Sequence, residues 1–508
     1  RPARWGGRVR RALVLLVALF GASLGFAQKE EGRTFVVGSK AFNESVILGE
    51  IIAQVGRGEG ASVKHERQLG GSSVLFNALL RGEIDAYPEY TGTLRRELLA
   101  ELGLSSDADL ASALAARGVR MTWPLGFNNT YAIGMREERA EALGVESISE
   151  LREHPALSFG FTNEFMDRGD GWPALRAAYD LPQADVTGLQ HELAYQGLRS
   201  GRLDAVDLYS TDAEIGLYDI RVLEDDRNFF TRYEAVVLYR AELERASPEW
   251  ARRLQALAGR IDAGAMVEMN TRAKTEEVDE ARIAADFLDS LGDFEARPRE
   301  RAGLLGRVVE TTREHLILVC IPMAAGVLVA VPLGVAAASS PRGGQIVLAI
   351  VGVAQTIPSL ALLALFVPAL GIGEPPALVA LFAYSLLPMV RSTQAGIRSI
   401  PAGLIESARA IGLGPFARLW IVELPLASRS ILSGIKTSIV ITIGFATLGA
   451  FIGAGGYGEP ILTGIRRDDF GLILEGTLPA AGMAIAAQAL FEVLERVIVP
   501  RGLRVRAS

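Results

Sequence analysis

Five long apolar runs in the C-terminal part of the sequence constrain the fold more than any other feature. Each run has 22 to 26 residues and few charges, which is enough for an α-helix to cross the hydrocarbon core of a bilayer. Five such helices cannot all be core helices of a soluble protein, because no polar helix would remain to face water. The sequence therefore predicts an all-α polytopic membrane domain over residues 313–508. The predicted spans are residues 315–338, 345–370, 376–397, 432–454 and 475–499.

The first 300 residues have a different composition. Residues 301–508 hold 16 basic and 11 acidic residues, a net charge of +5, so the −7 of the whole chain leaves −12 for residues 1–300. This acidity argues against nucleic-acid binding. Three arginines, Arg8, Arg10 and Arg11, precede an apolar stretch, which predicts a secretory signal over residues 1–28 that is either cleaved or retained as an anchor. The segment that follows is expected to be exported.

Charges between the spans predict the orientation of the membrane domain. Basic residues are concentrated in the connections on one side, whereas the connections on the other side are acidic or balanced. Cytoplasmic loops carry the excess of Lys and Arg. With the first half outside the cytoplasm, this predicts a multi-pass protein of the cell (inner) membrane with a cytoplasmic C-terminus. The basic residues of the predicted inner connections are Arg342, Arg391, Arg398, Arg409, Arg418, Arg429, Lys436, Arg501, Arg504 and Arg506.

The sequence has no catalytic or metal-binding pattern. One cysteine, Cys320, allows no intrachain disulfide and no cysteine cluster, and the four histidines have no ligand spacing. No lysine follows a glycine, so a phosphate-binding P-loop is absent, and neither Gly-x-Ser-x-Gly nor His-Glu-x-x-His occurs. We therefore expect no enzyme activity, metal or cofactor in this chain.

Residues 29–295 alternate short apolar strands with helical stretches, as in RTFVVGS followed by AFNESVILGEIIAQVG. This alternation predicts an open sheet with helices on both faces and a ligand crevice at the carboxyl ends of the strands. An internal repeat favours two related lobes, because Gly-Glu-Ile-Asp-Ala precedes Tyr90 and Gly-Arg-Leu-Asp-Ala precedes Tyr209 at the same spacing. The two tyrosines are then predicted to face one cleft. A chance resemblance between two turns is the alternative.

Tyrosine is concentrated in this first half, which holds nine of the eleven tyrosines. The face of a tyrosine ring is electronegative, so several rings can surround a cation that has no hydrogen to donate, as in choline-like ligands. A single tyrosine is more often half-buried packing than a ligand contact. The number of tyrosines therefore indicates a class of ligand but does not show which tyrosines contact it.

A polar segment between the third and fourth predicted spans reads ESARAIGLGPFARLWIVELPLA, residues 406–427. It resembles the docking pattern of permease subunits of binding-protein-dependent ABC importers: Glu-Ala-Ala, three residues, Gly, nine residues, Ile, any residue and Leu-Pro. Ser407 and Val422 depart from that pattern. The resemblance implies a coupling helix that contacts a separate cytoplasmic ATPase, which would bind the ATP and magnesium. The matching residues are Glu406, Ala408, Gly412, Leu424 and Pro425.

Six segments of the first half resemble, in the same order, the substrate-binding proteins for glycine betaine, choline and carnitine. They are VGSKAFNESVILGE, LGGSS, GEIDAYPEYTGT, NNTYAIGM, YSTD and LEDDRNFFTRYEAVVLYR. The resemblance implies a two-lobed α/β fold of the type II periplasmic-binding-protein class. It implies that Thr93 tunes ligand breadth and that Lys40, where some members have Gln, contacts a ligand carboxylate. The implied cage residues are Tyr90, Tyr131, Tyr209 and Tyr233, and Tyr87 is the neighbour most easily mistaken for Tyr90.

Together these features predict a binding protein fused to a permease, with a linker over residues 296–312. The expected function is ATP-driven import of quaternary-ammonium osmoprotectants across the lipid bilayer by a homodimer of this chain with ATPase subunits. Two alternatives stay open. One is an importer of amino acids or other zwitterions, and the other is a membrane ligand sensor that does not transport.

Overall fold

The computed structural model describes residues 33–104, 106–230, 232–276, 278–298, 303–467 and 469–499. The predicted signal segment, residues 1–28, lies outside the described residues. The chain divides into two compact units, an α/β unit within Glu31–Glu300 and a helical unit with Arg301–Thr463 and Phe470–Ser508. Each unit has its own apolar core.

Ten described strands form two five-stranded sheets in the α/β unit. They are β1 (Phe35–Gly38), β2 (Val63–Glu66), β3 (Ala86–Tyr90), β4 (Val119–Met121), β5 (Tyr131–Arg136), β6 (Phe159–Thr162), β7 (Val186–Leu189), β8 (Ala205–Tyr209), β9 (Ile220–Val222) and β10 (Ala235–Arg240). The strand orders are β2-β1-β3-β10-β4 and β7-β6-β8-β5-β9. In each sheet one strand, β10 or β5, runs antiparallel to its neighbours, and the other pairs are parallel.

The two sheets thus follow one plan and form two lobes, as predicted. The first lobe contains β1 to β4 and β10, and the second contains β5 to β9. The chain crosses between the lobes twice, before β5 and before β10. Tyr90 ends the central strand β3 of the first sheet, and Tyr209 ends the central strand β8 of the second.

The first helix shows why the helices of this unit form where they do. Ile47, Leu48, Ile51 and Ile52 are almost completely buried, and their spacing of three and four residues places them on one face of a helix. The Trp250 indole N–H donates to the Ile52 carbonyl at 3.2 Å. The helices are α1 (Asn43–Gly58), α2 (Ser72–Arg81), α3 (Asp107–Ala115), α4 (Glu137–Leu143), α5 (Asn163–Asp167), α6 (Trp172–Tyr179), α7 (His191–Arg199), α8 (Glu214–Leu217), α9 (Leu243–Ala246), α10 (Pro248–Gln255), α11 (Ala263–Thr275) and α12 (Glu280–Leu291).

The helical unit has four described helices that are long and apolar enough to cross a membrane, and a bent helix pair that makes a fifth crossing if the pair counts as one span. Its first helix begins inside the segment predicted to be a linker, residues 296–312. The helices are α13 (Leu304–Ser339), α14 (Pro341–Thr356), α15 (Ser359–Leu370), α16 (Glu374–Arg398), α17 (Ala402–Ala410), α18 (Pro415–Arg418), α19 (Leu424–Ala446), α20 (Gly458–Arg467) and α21 (Phe470–Ile498).

The predicted span 345–370 is broken in the structure, where α14 and α15 meet at 93°. Pro358 has no N–H and disfavours helical backbone at the residue before it, and Ile357 is extended. The carbonyl of Ile357 accepts a hydrogen bond from the Tyr384 hydroxyl, while the Gln355 side-chain amide donates to the Tyr384 carbonyl at 3.0 Å. The Ile357 carbonyl at the break is therefore bonded within the protein, as a bilayer requires.

Small residues bring the long helices close together. A Cβ atom added to Gly334 of α13 would lie 2.4 Å from the Cβ of Thr393 on α16. A Cβ on Gly326 would lie 2.5 Å from the hydroxyl of Ser385 on the same partner helix. Both separations are far below van der Waals contact, so these glycines set the distance between α13 and α16.

Candidate ligand-binding site

A small cavity lies between the two lobes of the α/β unit. The lining side chains nearly fill it in this conformation, since about 20 Å³ remains open, which is room for one water molecule and well below the roughly 300–1,000 Å³ of small-molecule sites. All six residues that the sequence predicts for the ligand line this cavity. The lining residues are Lys40, Phe42, Tyr90, Thr93, Asn129, Tyr131, Glu164, Arg168, Tyr209 and Tyr233.

Strand ends position the cage tyrosines. Tyr90 is the last residue of β3, Tyr131 is the first of β5 and Tyr209 is the last of β8. Because β5 and β8 are antiparallel and pair Tyr131 with Tyr209, these two rings lie side by side, with centroids 5.0 Å apart.

Tyr131 lies at the centre of an aromatic cluster. Its ring centroid is 5.1 Å from that of Phe165 and 5.8 Å from that of Tyr233, which meets it edge-on. On the first lobe, the Phe42 ring stacks at 5.2 Å from the Tyr209 ring. Phe42 lies two residues after Lys40, within a segment that the sequence resemblance covers, but the tyrosine count did not single it out.

The backbone between Tyr90 and Thr93 is shaped by a glycine. A Cβ atom on Gly92 would lie 2.4 Å from the Tyr233 ring, so only glycine lets that ring lie against the chain here. Thr93 ends the helical turn Thr91–Thr93 and is buried at the cavity wall. The YTGT segment therefore brings Tyr90, Thr93 and Tyr233 to one side of the cavity.

The cage phenols are neutral. Burial raises the pKa of Tyr90, Tyr131 and Tyr209 well above the usual value, because a buried phenolate would lose its hydration. Burial also raises the pKa of Tyr233, whose hydroxyl donates to Asp170 at 2.5 Å. The rings therefore present π faces and no negative charge to the cavity.

Lys40 forms an ion pair within the first lobe. Its Nζ lies 2.5 Å from Oε1 of Glu89, and both side chains are almost fully buried. Glu89 also accepts a hydrogen bond from the Tyr87 hydroxyl at 3.2 Å. The ammonium lies 5.1 Å from the centre of the Tyr90 ring. Tyr87 is thus bonded to Glu89, whereas Tyr90 lines the cavity.

Arg168 is a lining residue that the sequence did not single out. Its guanidinium donates to Asp170 at 2.8 and 2.9 Å and to Glu97 of the first lobe at 2.7 Å. It also lies 5.3 Å from the centre of the Tyr131 ring and 6.0 Å from that of Tyr233. Burial by itself lowers the pKa of Arg168, but the carboxylates of Asp170 and Glu97 outweigh burial and raise it. A permanent cation therefore touches two cage rings.

A buried carboxyl, Asp207, lies on the same strand as Tyr209. Asp207, two residues earlier in β8, accepts hydrogen bonds from the backbone N–H and the hydroxyl of Thr162 at 2.6 and 2.7 Å. Burial raises the pKa of Asp207 to about 6, although nearby His191 and the bonds from Thr162 oppose the rise. Thr162 in turn caps α5, since its hydroxyl accepts from the Phe165 N–H at 3.1 Å.

The residues of the predicted coupling segment lie along α17, the following turn and the start of α19. Glu406 is exposed and Ala408 is buried within α17. Gly412 has a φ of 83°, the left-handed conformation that favours glycine after a helix. Leu424 and Pro425 begin α19. Exposed apolar side chains flank these positions: Leu404, Ile411, Phe416, Trp420 and Ile421.

Two protein families match this chain. The family described as the substrate binding domain of ABC-type glycine betaine transport systems matches residues 33–290. The family described as the binding-protein-dependent transport system inner membrane component matches residues 330–503. Both matches concern components of transport systems rather than enzymes.

Individual relatives cover one or the other half of the chain. A glycine betaine/carnitine/choline transport system permease protein of Bacillus subtilis (strain 168) is 42% identical over 199 residues, which is 39% of this chain and 92% of the relative. The ergothioneine transport permease/ergothioneine binding protein of Helicobacter pylori (strain G27) is 31% identical over 267 residues, 52% of this chain and 48% of that protein.

A solved structure also resembles the first half. The crystal structure of a glycine betaine/carnitine/choline ABC transporter protein is 27% identical, with a TM-score of 0.44, and the match covers 51% of this chain and all of that one. The family matches, rather than this likeness, decide the assignment. The chain belongs to the family of substrate-binding domains of ABC-type glycine betaine transport systems, and it joins such a domain to a binding-protein-dependent inner membrane component.

Proposed function

We propose that this chain captures a small quaternary-ammonium osmoprotectant outside the cytoplasm and imports it as the fused binding and permease subunit of an ABC transporter. The cluster of neutral rings around Tyr131 is the observation that supports this ligand class. A ring face attracts a cation but accepts hydrogen bonds poorly, so the cluster favours a methylated nitrogen over an ammonium that must place its protons. The relative described as a glycine betaine, carnitine and choline permease supports the same class.

Arg168 is the proposed partner of a ligand carboxylate. Its guanidinium lies within 5.3 to 6.0 Å of two cage rings, so a carboxylate that bonds to it would leave the rest of a small zwitterion at those rings. Guanidinium and carboxylate form strong, charge-assisted hydrogen bonds. Lys40 is a second proposed contact, although it must share its charge with Glu89 at 2.5 Å. Thr93 is proposed to tune ligand breadth through its place on the cavity wall.

A series of ligands that lose one methyl group at a time tests the ligand class. Calorimetric titration of the full chain is expected to give decreasing affinity from glycine betaine to dimethylglycine, sarcosine and glycine. Each lost methyl exposes an N–H that the rings cannot satisfy, and an unsatisfied buried donor costs ~1–3 kcal/mol. Equal affinity for glycine and glycine betaine would refute the proposal and favour an amino-acid importer.

ATP hydrolysis is proposed to come from a separate cytoplasmic ATPase subunit, and the permease to act as a homodimer. The exposed apolar side chains around Ala408 and Gly412 support a docking surface, because they lie on a segment between predicted cytoplasmic ends of spans. Co-purification with an ATPase, and ATP hydrolysis that rises when ligand is added, would support transport. A chain that binds ligand but never stimulates an ATPase or moves ligand into vesicles would support the sensor alternative.

Two glycines of the coupling segment form a matched pair for this test. An added Cβ atom meets no other atom within 4 Å at either Gly403 or Gly412, but only Gly412 has a positive φ. Gly412→Ala is therefore expected to strain the turn and lower ligand-stimulated ATP hydrolysis, whereas Gly403→Ala should not. Ligand affinity should be unchanged in both variants, since neither residue lines the cavity. Equal ATPase stimulation in the two variants would contradict the coupling role.

The orientation is proposed to place the binding unit outside and the coupling segment inside. The single native cysteine makes this measurable. In a Cys320→Ala background, Ser290→Cys, exposed in the α/β unit, should react with a membrane-impermeant thiol reagent in intact cells. Ser407→Cys, exposed on α17, should react only after the membrane is opened. The reverse pattern would refute the orientation.

A further inference from the structure

Glu44 is a buried carboxylate that the ligand cavity does not expose. It lies in the first turn of α1, is 3% exposed, and accepts four hydrogen bonds from neutral donors. Its Oε1 accepts from the Tyr90 hydroxyl at 2.6 Å and the Asn129 amide at 2.7 Å. Its Oε2 accepts from the Thr211 hydroxyl and the Asn270 amide, the latter at 3.3 Å. Among the ion pairs of the described residues, none includes Glu44.

The four donors come from four different parts of the α/β unit. Tyr90 ends β3 of the first lobe, and Asn129 lies in the segment that crosses to the second lobe. Thr211 follows β8 of the second lobe, and Asn270 lies on α11, from which it also donates to the Thr211 carbonyl at 2.9 Å. Glu44 itself belongs to the first lobe. The four bonds therefore link the first lobe, the crossing segment, the second lobe and α11 through one carboxyl group.

Both asparagines present an amide donor to the Glu44 carboxyl. Asn129 and Asn270 both direct their NH₂ groups to Glu44, while their amide oxygens have no hydrogen-bond partner among the described residues. Burial raises the pKa of Glu44, and the bonds from Thr211, Tyr90 and Asn129 oppose part of that rise. A buried anion without a cation is costly unless several donors solvate it. Because Thr211 belongs to the second lobe, we expect opening of the lobes to remove its bond and to leave that oxygen less well solvated.

We propose that Glu44 is a positioning residue that couples the placement of the Tyr90 ring to closure of the two lobes, and so controls how long the cavity retains its ligand. This inference rests on the proposed function, since Tyr90 is the cage ring that Glu44 holds. The carboxylate does not touch the cavity. It acts through the Tyr90 hydroxyl on one side and Thr211 on the other.

The test compares variants of the full chain in detergent or nanodiscs. Glu44→Gln keeps the size of the side chain but removes its charge and replaces one acceptor oxygen with a donor, so two of the four donors lose the acceptor oxygen that they face. Stopped-flow dissociation of glycine betaine and choline is expected to be at least tenfold faster in this variant. Asp85→Asn is the matched control, because Asp85 is also a buried carboxylate of the first lobe that accepts a backbone N–H, from Val36 at 2.9 Å. Its dissociation rate should stay within twofold of the unmodified chain.

A double-mutant cycle tests whether Glu44 affects ligand release through Tyr90. Tyr90→Phe removes the hydroxyl that donates to Glu44 but keeps the ring. If Glu44 acts through Tyr90, the Glu44→Gln and Tyr90→Phe effects on the dissociation rate will be non-additive, and the double variant will release ligand about as fast as Glu44→Gln alone. Full additivity would overturn the route through Tyr90. Thr211→Val, which removes one donor and leaves the carboxylate, serves if Glu44→Gln does not fold, and it should also speed dissociation.

A measurement without ligand separates this inference from the proposed function. Amide hydrogen exchange over residues 209–213 should be faster in Glu44→Gln than in the unmodified chain, because the second lobe loses its bond to the first. Unchanged exchange together with an unchanged dissociation rate would overturn the inference. If the unmodified chain binds no quaternary ammonium, the proposed function fails, and the exchange result still decides whether Glu44 couples the lobes.

Discussion

Replacing Tyr131 with leucine tests the aromatic cage most directly. The Tyr131 ring has the Tyr209, Phe165 and Tyr233 rings within 5.8 Å, and the guanidinium of Arg168 lies 5.3 Å over its face. Leucine keeps an apolar side chain at this position but has no π face. A desolvated cation–π contact contributes ~2 kcal/mol, and each 1.4 kcal/mol is tenfold in affinity. We therefore expect Tyr131→Leu to weaken choline binding by about 30-fold.

The assay uses calorimetric titration with choline and with its uncharged isostere, in which carbon replaces the nitrogen atom. Loss of packing weakens both ligands alike, whereas loss of the ring face weakens only the cation, so the preference for choline over the isostere should shrink by about 30-fold. Tyr131→Phe is the matched control. It keeps the ring and removes a hydroxyl that lies 3.4 Å from the Tyr209 hydroxyl, and it should preserve the preference. A Tyr131→Leu chain that still prefers choline to the isostere would refute the cage.

Three further predictions concern charge, pH and the membrane unit. In calorimetry, Arg168→Met should weaken the affinity for glycine betaine by about tenfold or more and change the affinity for choline little. Only glycine betaine has a carboxylate, and its hydrogen bond to the guanidinium contributes ~1.5–3 kcal/mol. Arg168→Lys should restore part of the affinity for glycine betaine. The pKa of Asp207 is raised from its usual 3.8 to about 6, so its stabilising contribution is complete below pH 3.8 and is lost as the pH rises to about 6. In denaturant unfolding, the free energy of unfolding of the unmodified chain relative to that of Asp207→Asn should therefore fall by up to ~3 kcal/mol between pH 4 and pH 7. A constant difference would contradict this. Tyr384→Phe leaves the Ile357 carbonyl without its donor and should lower the thermal stability of the detergent-solubilised chain by ~1–3 kcal/mol, while an unchanged midpoint would show that another group satisfies the carbonyl.

Local patterns in the sequence were sufficient for the two-lobed architecture and for six of the residues that line the cavity. The repeated turn before Tyr90 and Tyr209 predicted two lobes because each turn precedes the central strand of its own sheet. The six ligand residues named from motifs all line one cavity, because strand ends in such folds point to one crevice. Their individual roles stay predictions.

Residues whose placement depends on distant partners were not found from the sequence. Arg168 is held by Glu97, which lies 71 positions earlier on the other lobe. Glu44 is held by Asn270, 226 positions later. Sequence patterns over a few residues do not predict contacts between positions this far apart. Pro358 is visible as a proline within an apolar run, but local spacing predicts neither the 93° angle nor the Tyr384 hydroxyl that donates to the Ile357 carbonyl from another helix.

The strand order of the first sheet has a consequence for the synthesis of the chain. Strand β10 lies between β3 and β4, so the first sheet cannot be completed until residue 240 has left the ribosome. The second sheet uses only residues 131–222, a continuous segment. Domains tend to fold as units during synthesis, and pairing across a long sequence separation is slow. The second lobe is therefore expected to fold first, while β3 and β4 each keep an edge unpaired until β10 joins them.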